Sequence, residues 1–225
     1  MTQKSNKLLW ITRILVGLLF IFSGLIKLND PLGFSYKLEE YFEVFHLVFL
    51  NPLAVFISIT LCALEVILGL FLLAGFYAKK VAWGLLLLIV FFTFLTFYSA
   101  AFDVVKTCGC FGDAIPLTPW QSFTKDLILL VLIVYVFINK NGIQSISNQQ
   151  KTIKTTSVVF IILPILFGLY SVTFLPILDF LPYKEGANII ESMKIPEGSP
   201  QDEFEIIYTL KNKITGEKKE INDKD

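Results

Sequence analysis

Sulfur and imidazole are scarce: three cysteines and one histidine stand in 225 residues. That inventory is too small for a disulfide framework or for the four converging ligands of an ordinary all-protein zinc site. Charge is thin as well, at 17% of residues, with 19 basic and 19 acidic side chains in balance. What charge there is gathers in short connections and in an acidic tail after Asp179, a distribution that argues against a nucleic-acid partner. The sequence also lacks internal repeats and low-complexity segments. In place of polar residues it is 55% hydrophobic, with a mean hydropathy of +0.68, more apolar than a soluble domain of this size. Long apolar runs recur before the tail, so the solvent for most of the surface is a lipid bilayer.

Hydropathy and length predict five transmembrane helices. The first covers residues 8–27, interrupted only by Arg13, and its ~30 Å of helix matches a bilayer core. No short apolar region with a small-residue cleavage site is visible, so this helix reads as retained rather than as a signal peptide. The second runs from about 52 to 77 with Cys62 and Glu65 inside it. The third spans 81–102, and the fourth begins near Trp120 with Lys125 and Asp126 inside one end. The fifth, 157–181, carries Pro164 and Pro176, where kinks are expected.

Basic residues set the orientation, because positive short loops stay cytoplasmic. Lys4 and Lys7, then Lys79 and Lys80, then Lys140, Lys151 and Lys154 all fall on one side. The opposite loops, 28–51 and 103–119, are acidic or mixed. The N-terminus is therefore expected in the cytoplasm of a bacterial inner membrane, and the C-terminus outside it. Residues 182–225 are polar and predict a two-stranded β-hairpin, 203–211 and 217–221, about a turn at 212–216. A lone hairpin is marginal in water, so this one needs a partner or further strands. The expected architecture is an all-α membrane protein. Residues 1–140 form a four-helix bundle, 141–181 a cytoplasmic linker with the fifth helix, and 182–225 an extracytoplasmic tail.

The segment KTCGCFGDAIPLTPWQSF, 106–123, is the most informative. One glycine between Cys108 and Cys110 makes any ring they close very small, and strain in it favours exchange. An external loop faces a compartment where disulfides form and turn over. Nearby positive charge favours the reactive thiolate, and Lys106, Lys27 and Lys125 are candidates to supply it. Asp113 beside Gly112 could cap a turn or act as a base next to the thiols. The plain alternative is a static staple or two idle thiols. Cys62, deep in the second helix, reads as packing. Charges within spans are costly and face the bundle interior or water. Arg13 and Glu65 could pair with each other, or mark a proton or quinone site. Lys27, Asp30, Lys125 and Asp126 lie near enough to the outer interface for the lysines to snorkel. His46 reads as surface, and Trp10, Trp83 and Trp120 as interfacial belts.

TRILVGLLFIFSGLIKLNDPLG at 12–33, ALEVILGLFLLAG at 63–75 and CGCFGD with PWQSFTKDLILL between 108 and 130 resemble the DoxX-like membrane proteins. The resemblance is to their methylamine-utilisation MauE branch, over about 8–140. It implies a four-helix membrane bundle similar in plan to quinone-linked disulfide oxidoreductases, with a part in delivering disulfides to periplasmic proteins. Its implied client is the small subunit of methylamine dehydrogenase, and its implied partner a thioredoxin-like protein. The family pattern places a cysteine pair at Cys108 and Cys110. The fifth helix and the tail depart from the pattern; the tail resembles the start of the thioredoxin-like domain of longer relatives.

The expected function is thiol–disulfide redox chemistry. Cys108 and Cys110 would exchange electrons with an external thioredoxin-like protein, and a membrane quinone is the one cofactor implied. Two other classes stay open. A non-enzymatic scaffold would act through the tail and loops, and deleting 182–225 separates it from a site in the 103–119 loop. A small-molecule transporter would use Arg13 and Glu65, though the chain shows no repeat of the kind transporters are built from.

Overall fold

In the computed structural model the described residues are 7–102, 104–105, 117–174, 176–178, 180, 188, 207–211 and 218–222. They fall into two units, 1–184 and 185–225. The first contains α1 (Lys7–Asn29), α2 (Pro31–Val44), a 3-10 turn (Val48–Leu53), α3 (Ala54–Ala74), α4 (Ala78–Phe102), α5 (Pro119–Ile138) and α6 (Gln150–Phe174). Five helices, α1, α3 with its preceding turn, α4, α5 and α6, are long and apolar enough to cross a membrane. In the second unit β1 (Ile207–Lys211) pairs antiparallel with β2 (Lys218–Asn222), Ile207 opposite Asn222 and Lys211 opposite Lys218.

Two expectations change. The connection 28–51, read as an external loop, holds the 14-residue α2. Pro31 sits at the first turn, where a missing N–H is harmless, and the Asp30 carboxylate accepts from Gly33 N at 2.9 Å. Phe34, Leu38 and Tyr41 then recur at helical spacing and are buried. The last apolar helix also begins at Gln150 rather than 157 and ends at Phe174. Its first turns are polar and take in Lys151 and Lys154. Pro164 is accommodated inside α6, whereas Pro176 lies beyond its end.

The core forms where α1 crosses α3 and α4 pairs with α5. Val16 and Phe20 of α1, Leu72 of α3, Leu85 of α4 and Ile133 of α5 belong to one buried cluster. Lipid provides no hydrophobic drive between helices, so small residues that let backbones approach carry the α1–α3 contact. A Cβ on Gly69 would stand 2.8 Å from the Gly17 carbonyl oxygen and 3.1 Å from Ile21 N. The α6 helix packs on α3 and α1, with Gly168 against Leu28 and Ile59. Asn29 ties down the chain beyond it: Nδ2 donates to Leu178 O at 2.6 Å, and Leu178 N donates to Oδ1 at 3.0 Å.

Candidate functional site

Two charged side chains inside the spans resolve into different roles. The Arg13–Glu65 pair, one of the alternatives the sequence allows, does not form: Arg13 reaches the C-terminal end of α3 instead. Its Nε donates to Leu72 O at 2.7 Å, Nη2 to Leu73 O, and Nη1 to Gln144 O at 3.0 Å. Gly75, at φ +71°, closes that end, with Gly75 N donating to Leu72 O and Phe76 N to Phe71 O. Ile146 N takes the Ala74 carbonyl. A cation therefore neutralises the negative end of α3 and satisfies carbonyls that hydrocarbon would leave bare.

Glu65 pairs with Lys27. Leu72, where Arg13 docks, lies seven residues further along α3, roughly 11 Å of helical rise, which puts Arg13 out of reach. Lys27 does not snorkel: it is 3% exposed, on the α1 face that meets α3. Its ammonium stands 4.7 Å from the Phe92 ring centre and 5.2 Å from that of Phe34, which compensates part of its lost hydration. Glu65 Oε1 receives Lys27, while Oε2 is buried and has no hydrogen-bond partner among the described residues.

A second charged pair lies on α5. Lys125 Nζ stands 2.9 Å from Asp126 Oδ1, and Thr96 of α4 donates to Asp126 Oδ2 at 3.1 Å. Asp126 is buried and Lys125 partly so, again more enclosed than an interfacial lysine reaching for water.

Both pairs line one cavity of about 150 Å³. Its walls come from α1 to α5, mostly apolar, with Phe34, Tyr41 and Phe92 among them. The fold thus gathers Lys27, Glu65, Lys125 and Asp126, and adds Tyr41, Thr96 and Ser23, which sequence reasoning missed. The signal for Tyr41 was present in the Asp30-Pro31 helix start and the spacing of Phe34, Leu38 and Tyr41. Thr96 carried none, because an isolated threonine in an apolar helix is common packing.

Asp30 caps α2 and is not a cavity wall. Cys62 is fully buried in a cluster with Leu28, Phe34 and Val66. His46 is exposed, with φ +57° at the turn after α2. Cys108, Cys110, Lys106 and Asp113 lie outside the described residues. The segments that flank them are anchored. Val105 is buried against Tyr41 and Leu95, and Ser99 Oγ donates to its carbonyl at 2.6 Å. On the far side Thr118 and Gln121 form a reciprocal cap at the start of α5, with Pro119 in its first turn.

A family profile described as methylamine utilisation protein MauE matches residues 5–139, more than half of the chain. The chain belongs to the MauE family. The MauE match takes in α1 to α5, hence every wall of the cavity, together with the loop between α4 and α5. Protein TlpB of Flavobacterium psychrophilum is 34% identical over 139 residues, 60% of this chain and 37% of that protein. The matched part therefore spans little more than a third of that curated relative. No solved structure matches the chain. With its five apolar helices, this MauE-family member is a multi-pass membrane protein.

Proposed function

We propose that this chain is a thiol–disulfide redox protein of the bacterial inner membrane, in which Cys108 and Cys110 cycle between dithiol and disulfide. α1, α3, α4 and α5 make its four-helix bundle, with α6 as a fifth span. The N-terminus is cytoplasmic, the strands of 185–225 are extracytoplasmic, and the cysteine loop faces an external thioredoxin-like partner. Kinship with the wider DoxX-like proteins and service to methylamine utilisation belong to the same reading.

One observation carries it. The chain on either side of the Cys-Gly-Cys motif runs close to a cavity that holds two enclosed charge pairs. Val105 packs on the wall residues Tyr41 and Leu95, and Cys108 is three residues further along the chain, a reach of at most about 11 Å. On the other side of the loop, Lys125 and Asp126 stand in the second turn of α5. Ionisable side chains inside a membrane are costly, and a cavity that gathers two such pairs is a candidate functional site.

Closing the disulfide removes two protons and two electrons from the thiols. A membrane quinone, when bound, supplies the acceptor for both. The cavity suits such a ring by size and by its aromatic walls, and its unpartnered carboxylate oxygen would receive the hydroxyl that the ring gains once reduced. Phe34 and Phe92 would face the ring, and Lys27 would orient Glu65 toward it. Lys125, steadied by Asp126, would favour the thiolate of whichever cysteine attacks the partner.

The test is thiol trapping in native membranes before and after oxidant, with wild type, Cys108→Ser and Cys110→Ser. The expected result is a reversible two-thiol change in wild type that either substitution abolishes. A pair that never changes state, or variants that keep full function, would return the chain to the scaffold class.

A further inference from the structure

We infer that Glu65 is the residue by which the cavity selects a ring bearing a free hydroxyl, so that the site prefers the reduced, quinol-type form of a membrane-dissolved ring over a form without an O–H. The inference deepens the reading above by naming the ligand state, but it stands on the cavity and does not require the cysteines.

Glu65 is 2% exposed, and its two carboxylate oxygens are unequal. Lys27 occupies Oε1, while Oε2 is buried without a partner among the described residues, although Glu65 lines the cavity. A buried acceptor left unmatched is unfavourable, and the deficit is removed by any donor brought to it. Apolar ligands cannot do this, and neither can a quinone, whose oxygens only accept. A ring hydroxyl can. It would donate to Oε2 with the rest of the ring between Phe34 and Phe92, in a space of about 150 Å³ that matches a single ring. Lys27 cannot serve the ligand equally, because it is already committed to Oε1 and to the two aromatic faces. The asymmetry makes the site an acceptor first, and therefore discriminating. A site built around a buried hydrogen-bonding group rejects an analogue that lacks the matching partner, since the group is then left unpaired.

The probes are a methylated hydroquinone and its dimethyl ether, which share a ring but differ in O–H donors. Binding of each to the full chain in lipid nanodiscs is measured by calorimetry under anaerobic conditions. Wild type should bind the hydroquinone at least about tenfold more tightly than the ether. Lys27→Met/Glu65→Leu, which removes both buried charges together and so avoids stranding one, should bind the two alike. Equal affinity of wild type for both probes, no binding of either, or a preference that survives in the double variant would each overturn the inference. Cys108→Ser/Cys110→Ser should keep the wild-type preference. Preference retained with no thiol cycling would sink the redox reading and leave this one standing, and cycling without preference would do the reverse.

Discussion

Arg13 shows how a charge can be kept in a membrane helix without joining a reactive site. Its guanidinium takes the carbonyls of Leu72 and Leu73 at the end of α3 and that of Gln144 in the segment leading to α6, joining three parts of the chain. Planarity matters, because a fork of fixed N–H directions serves several acceptors at once, whereas an ammonium on a flexible stem does not. Arg13→Ala should therefore lower stability by about 4 kcal/mol or more, the order expected for losing three hydrogen bonds to a charged donor at ~1.5 kcal/mol each. Arg13→Lys should recover only part of it. Thermal unfolding in detergent would read both, and an Arg13→Ala protein as stable as wild type would remove the capping role. Sequence alone made Arg13 and Glu65 visible as costly charges. It left their partners open, because hydropathy gives depth only to within a turn or two and the roughly 11 Å between Glu65 and Leu72 is two turns. Lys27 was misjudged for a related reason: proximity to a span end says nothing about which way the side chain faces.

The elements were legible in proportion to their length and hydropathy. Five spans of twenty or more residues announce themselves, since nothing else uses so much uninterrupted apolar chain. The α2 helix did not, because 14 residues with Lys37, Glu39, Glu40 and Glu43 look like a loop unless the Asp30 cap and Pro31 are weighed as a helix start. That omission concealed part of the site, since Phe34, Leu38 and Tyr41 form one wall of the cavity. Packing between elements was hidden too. Glycines in α1 and α3 gave no sign of which helix they would meet, yet Gly17 and Gly69 set the α1–α3 distance. Gly69→Ala tests this, and its sign is diagnostic. In an unencumbered helix the change stabilises by up to about 1 kcal/mol. Here the added methyl meets the backbone at Gly17 and Ile21, which cannot move without parting the helices, so a loss of about 1–3 kcal/mol is expected. A stabilised Gly69→Ala protein would mean that the two backbones are not in contact.

At the scale of the molecule, sidedness decides whether the cavity and the cysteine loop can serve one another. The cavity residues Lys27, Thr96, Lys125 and Asp126 stand near the ends of α1 and α4 and the start of α5, the same end that carries the loop. The other end has Lys79, Lys80 and Lys140 around an open concavity, as positive residues on a cytoplasmic face would be. Trp10 and Trp83 lie toward that end and Trp120 toward the loop, each more than half exposed and free to sit at a membrane boundary. If the lysines face the cytoplasm, a membrane-impermeant maleimide added to reduced, intact spheroplasts should label Cys108 and Cys110. Cys62 supplies the internal control: at 0% exposure it should stay unlabelled in intact and lysed cells alike until the protein is denatured. Cys108→Ser/Cys110→Ser should then take up no label before denaturation. Labelling of the pair only after lysis would invert the molecule. The thiols would then face the reducing cytoplasm, where no disulfide is held for export, and an external thioredoxin-like partner could not reach them.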